Sequence, residues 1–189
     1  MLGGPGRTSG RGLPYFALIR IGPSATGILQ AVGEALVKVR FELVPDEDGW
    51  PPVTSEGLWA TIVGGNVVRL QNAPWFAREV ANGDLLRVRP GEDGQLWAGD
   101  LVRWSGRCAI RVVPFRDGAG GGGLQWVLDL FEPLQVGGEG IEQFGLVALD
   151  VPAGCDLSAV KYALIRGEQD GWWQYEEGCV GAAWMEAGV

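Results

Sequence analysis

Histidine is missing altogether from these 189 residues, and lysine occurs only at Lys38 and Lys161. Without imidazole there is no Ser-His-Asp or Cys-His couple, and no zinc site of the kind that depends on it. Neither lysine lies in a Gly-x-x-x-x-Gly-Lys-Ser/Thr run, so a phosphate loop is excluded as well. Cys108, Cys155 and Cys179 are odd in number and lack Cys-x-x-Cys spacing, which speaks against a secreted disulfide framework. Long hydrophobic runs are also wanting: charge, Gly or Pro interrupts each apolar stretch within about ten residues, against the roughly 20 that a bilayer span needs. Arg20 cuts short the run Leu13 to Ile19 and no cleavage site follows it. A cytoplasmic protein without a membrane segment is expected.

Basic surface is scarce too. The net charge is −8, and phosphate contact depends on basic surface that releases counterions, so a nucleic-acid partner is not expected. Catalysis, if any, falls to carboxylates, thiols, the two lysines or tyrosines. Nothing in the sequence points to a cofactor or metal. Asp46-Glu-Asp48 and Glu92-Asp93 lack calcium-loop spacing and read as solvated turns.

What the chain has in quantity is apolar residues, 47% of the total, including nine tryptophans. That suffices for one good core or two small ones. The clearest order is near the C-terminus, between Arg107 and Val180. Cys108 to Phe115 predicts a strand, and Leu124, Val127, Leu128 and Phe131 mark a helix over 124–132. Ile141 to Phe144, a turn at Gly145 and Leu146 to Val151 predict a hairpin. Asp156 caps a second helix with Leu157, Val160 and Leu164 on its apolar side, and Trp172 to Glu176 closes the set as a strand. This is the split β-α-β order of a ferredoxin-like sandwich. The glycine-rich stretch from Gly118 to Gly123 reads as a flexible connector within it.

Upstream, Val37, Val39, Phe41 and Leu43 alternate with Lys38, Arg40 and Glu42, the mark of a half-buried strand. A hairpin follows over 58–70, then a helical turn from Pro74 to Ala81 capped by Asn72, then strands 84–89 and 95–104. Short strands at that spacing predict a small curled sheet or barrel. The fold class expected is therefore α+β. A flexible extension over 1–36 precedes a β-rich unit over 37–106; a ferredoxin-like unit over 107–182 packs on it, and 183–189 is a tail.

Several motifs stand out as a set: Val39-Arg-Phe41, Asp48-Gly-Trp-Pro-Pro-Val53, Glu56-Gly-Leu-Trp-Ala60, Asn72-Ala-Pro-Trp-Phe-Ala77, Gly83-Asp84, Val151-Pro152 and Tyr175-Glu-Glu-Gly178. On these residues the run Val37 to Val180 resembles an uncharacterised bacterial family of unknown function. The resemblance implies a soluble, non-secreted protein and carries over no catalytic residue.

Candidate site residues follow from the sheet order. Arg111 and Asp150 fall on neighbouring strands and the same face, away from the helices, as a salt bridge or a polar site. Of Trp172 and Trp173, one fills the helix-side core and the other meets the open face, which makes Trp173 a binding candidate beside Trp75 and Tyr175. Cys155, just ahead of the cap Asp156, stands where a helix dipole lowers a thiol pKa. Asp84 after Asn82-Gly83 reads as a turn-fixing carboxylate. The function expected is a non-enzymatic module that binds a protein or peptide, of the immunity, antitoxin or accessory kind. The alternative is a small enzyme that uses carboxylate or thiol chemistry where the halves meet.

Overall fold

The structure is a computed structural model, and it describes residues 18–21, 36–116 and 122–188. Of the expected flexible extension, residues 1–17 and 22–35 lie outside the described residues, as does 118–121 of the glycine-rich stretch. Among the described residues ten strands and three α-helices are ordered as β1 Leu18–Ile21, β2 Leu36–Glu42, β3 Ser55–Gly64, β4 Val67–Leu70, β5 Leu85–Pro90, β6 Leu96–Arg103, β7 Cys108–Pro114, α1 Leu124–Phe131, β8 Gly137–Ile141, β9 Leu146–Val151, α2 Leu157–Gln169, β10 Trp173–Cys179 and α3 Ala182–Glu186.

Strands β2 to β6 form a closed barrel. The alternation read from β2 explains the closure. Val39 is wholly buried with Leu58, Ala60, Val68, Leu70, Leu86 and Val88 inside, while the polar residues between face out. Short parallel pairing of Val39 with Leu96 and Arg40 with Trp97 joins the last strand to the first.

The other sheet is antiparallel, in the order β1-β8-β9-β7-β10. Its helix side buries Ile110, Val112, Val147, Leu149 and Val151 under Val127, Leu128 and Phe131 of α1 and Val160 and Leu164 of α2. Asp156 caps α2 by accepting from the Ala159 amide, as expected. An α+β class is the result: a barrel beside a helix-covered sheet.

Several local expectations are corrected. The hairpin partner of β9 is Gly137–Ile141, paired from Gly137↔Asp150 to Ile141↔Leu146, while Glu142–Phe144 form a 3-10 turn. Glycine is a poor strand former on propensity, yet a Cβ at Gly138 would stand 2.7 Å from the Ala148 carbonyl oxygen and 2.9 Å from Leu128. Only glycine lets α1 lie that close to β8. Within the expected flexible extension, Leu18–Ile21 instead pairs with β8 as an edge strand. The expected tail contains α3, whose Trp184 is 1% exposed in the main core and donates to Glu177. Lys161 holds that segment through the Trp184 and Ala187 carbonyls. Residues 74–81 are not helical; they form an irregular segment fixed by a side chain from β3.

Candidate functional site

The open face of the sheet is covered, and its cover is the segment from Asn72 to Asp84. Glu56, on β3 and 5% exposed, accepts from the amides of Trp75 at 2.7 Å, Phe76 at 3.0 Å and Ala77 at 2.8 Å. Those amides would otherwise be orphaned in a turn-free stretch. Burial pushes the Glu56 carboxyl above its ordinary value, opposed by the three amides and by Arg111. Asn72 caps no helix; its side chain accepts from the Trp59 amide. Asp84 is fully buried and fixes the end of the segment, accepting from Ala81 and from Ser105. That is the turn role expected of it.

So pinned, the segment reaches across to the sheet at several points. The Trp75 indole donates to the Glu139 carbonyl at 3.3 Å, and the Glu79 amide to the Gly178 carbonyl. Asn82 donates to Asp150, and Arg111 donates to the Ala77 carbonyl. Phe76 packs with Ile141 and Leu146, edge-on to Trp50 and Phe144.

Arg111 and Asp150 share this face but are not partners. In register Arg111 faces Ala148 on one side and Glu176 on the other, two residues from Asp150's row. Asp150 is held instead by Arg107 at 2.6 and 2.7 Å, and Arg111 by Glu176 at 3.0 Å. Glu176 is shared with Arg78 at 2.7 Å. The Arg111 guanidinium lies so close over Gly178 that a Cβ there would meet its carbon at 2.9 Å.

Arg111 is only 3% exposed, and its Nε finds no acceptor among the described residues. It lines a cleft of about 170 Å³ between the two halves, together with Trp50, Val113, Leu146, Gln174, Tyr175 and Glu176. A wider groove of about 630 Å³ runs from Arg40 along Pro45 to Ser55. Its arginine is different: Arg40 already donates to Gln95 and Ser55.

Of the remaining candidates, Tyr175 borders the cleft, whereas Trp173 and Cys155 do not. Trp173 is 1% exposed on the helix side, donates to the Leu164 carbonyl and packs on Phe131 and Trp126, so it is core and not a contact surface. Trp172 packs there as well, and the tryptophans that meet the sheet's other face are Trp50 and Trp75. Tyr175 packs against the helix-side core and also borders the cleft; burial, then Glu168 and Glu177, push its hydroxyl up. Cys155 moves against expectation: burial, then Cys108, outweigh the favourable influences and push its thiol up. Among the described residues no three Cys, Asp or Glu gather as a metal site requires. None of their helices is long and apolar enough to cross a membrane.

Sequence reasoning missed Gln174 and Val113 as cleft residues, because alternation places them on the face but not at its uncovered edge. It missed Glu56 too, although its place in the Glu56-Gly-Leu-Trp-Ala60 motif was a signal.

Residues 56–175 match the model of a family described as Domain of unknown function (DUF4265). No curated protein matches the chain. A solved structure described as a novel crystal structure of a hypothetical protein from Neisseria gonorrhoeae is similar in fold. Its TM-score is 0.62 at 21% identity, and the match covers 80% of this chain and 99% of that one. Residues 56–175 take in the chain from β3 to β9, with the Asn72–Asp84 segment, and the start of β10.

Proposed function

We propose that this chain, which belongs to the DUF4265 family, is a non-enzymatic binding module that engages a protein or peptide at the cleft between its barrel and its sheet. The observation that carries the reading is Arg111: a buried guanidinium with one unspent donor at the wall of a cleft. Burying such a donor without an acceptor costs about 1–3 kcal/mol, which a ligand's acceptor would return. The enzymatic alternative finds less support. The junction carboxylates Glu56, Asp84 and Asp150 are all spent on amides or on Arg107, and the thiols are pushed away from the thiolate. The same reading takes the C-terminal half as a ferredoxin-like unit with β1 added at its edge. Its strand–helix order and the β10-β7-β9-β8 neighbours support this.

A photo-crosslinking residue at Gln174, on the cleft wall, tests the binding function in cells. Tyr162, exposed on α2, is the control position. Discrete protein adducts at 174 and none at 162 are expected. Equal labelling at both positions, or none at 174, would overturn the reading.

A further inference from the structure

Within that binding reading, we propose that the group recognised by the cleft is a carboxylate on a short apolar stem, an acidic side chain or a C-terminus of the partner, accepting from Arg111 Nε and from Gln174. The inference rests on the proposed function and gives it a ligand chemistry. Of the guanidinium's two terminal nitrogens, one is committed to Glu176 at 3.0 Å and the other to the Ala77 carbonyl, so its direction is fixed before any ligand arrives. The unspent N–H sits on a side chain 97% buried, from the 3% exposure of Arg111. A charged donor that cannot turn away favours a charged acceptor, since such bonds are roughly twice as strong as neutral ones.

The two nearby carboxylates are already claimed. Glu176 also binds Arg78, and Glu56 serves three amides. A doubly charged phosphate would face both of them, whereas a single carboxylate adds one negative charge beside two arginines. The walls fit the stem: Val113, Leu146 and the Trp50 ring are apolar, and the Gln174 amide at the cleft wall can donate to the second oxygen. At about 170 Å³ the cleft equals roughly five or six waters' share of liquid volume, the scale of one side chain rather than of a drug-sized ligand.

The Arg111 Nε–H resonance of the full chain, titrated with sodium propionate, tests this directly. A saturable shift is expected, with propionamide and sodium sulfate giving none. N-acetylated dipeptides ending in valine separate the sources. The free acid is expected to bind at least tenfold tighter than propionate, and its C-terminal amide at least tenfold weaker than the acid. Arg111→Lys removes the Nε donor but also loosens the anchor on Ala77. Val113→Phe therefore serves as the second variant: it fills the cleft from a position 37% exposed and is expected to abolish the propionate shift with the fold intact by circular dichroism. An Nε resonance unmoved by propionate, or moved equally by propionamide or sulfate, would overturn the carboxylate while leaving crosslinking at Gln174 to stand. Propionate binding tighter than both peptides, with no adduct at Gln174, would overturn the protein or peptide partner itself.

Discussion

Glu56 is the residue on which the cleft's geometry depends most. It is separated by about 20 positions from the amides it binds, and those amides belong to the segment that carries Ala77 and Arg78 to the sheet. Glu56→Ala leaves three amides, two of them buried, without an acceptor, at about 1–3 kcal/mol for an unsatisfied buried group with partial relaxation among neighbours. A loss of about 2–4 kcal/mol in urea denaturation is expected. Glu56→Gln keeps one acceptor oxygen and should lose less. Equal stability of Glu56→Ala and wild type would mean that the segment is held by its other contacts.

The thiols give a second prediction at this scale. Burial, then Asp84, push the Cys179 thiol up to about 11 from a value near 9. An acid whose folded pKa is raised adds stability below its unfolded pKa and loses it as pH climbs toward the folded one. Stability is therefore expected to hold up to about pH 9 and to fall between pH 9 and 11. Two units correspond to about 2.7 kcal/mol, which partial solvent access reduces to on the order of 1–2 kcal/mol. Cys108, Cys155 and Tyr175 are shifted in the same direction, so Cys179→Ala should flatten the decline without removing it. Stability rising over that range would contradict the burial argument.

At the scale of elements, alternation and helical spacing were readable and tertiary replacement was not. Strands β2, β5 and β7 and both long helices follow patterns of apolar residues that need nothing from outside the element. Strand β8 does not, because Gly137, Gly138 and Gly140 carry no pattern and their reason is the helix lying on them. The stretch 74–81 has the signals of a capped helical turn, but its amides bind a carboxylate from another strand, which no local rule contains. The site divides in the same way. Arg111 and the face it shares with Asp150 follow from strand order, whereas its partner depends on register, which pairs it with Glu176. Strand β8 also supplies a test. Gly138→Ala places a methyl against backbone and Leu128, and overpacking of that kind costs about 1–3 kcal/mol. Gly154→Ala, with nothing within 4 Å and no positive φ, is the control and should stay within about 0.5 kcal/mol. Similar urea midpoints for the two variants would show that α1 can move off the strand.

For the whole molecule, the question is whether barrel and sheet behave as two domains or one. Each has its own apolar cluster, which alone would allow separate unfolding. Against that, the connection from Arg103 to Cys108 is short, and the face of the sheet that the barrel covers includes Ala109, Leu146 and Ala148, each 1% exposed or less. Exposing such a row with Arg111 would strip a buried charge of its acceptor and open an apolar patch at once, so neither half is expected to keep its structure when the other is lost. Calorimetry should show one transition with calorimetric and van't Hoff enthalpies equal, the mark of two-state behaviour. The Asn72–Asp84 segment is the coupling element, and the double variant Trp75→Ala with Asn82→Ala cuts its bonds to Glu139 and Asp150. If coupling runs through it, that variant lowers the barrel's and the sheet's hydrogen-exchange protection together, by a similar factor. Protection lost in one half alone, or a wild-type endotherm that splits in two, would mean that the halves are independent and that the cleft between them has no fixed width to offer a ligand.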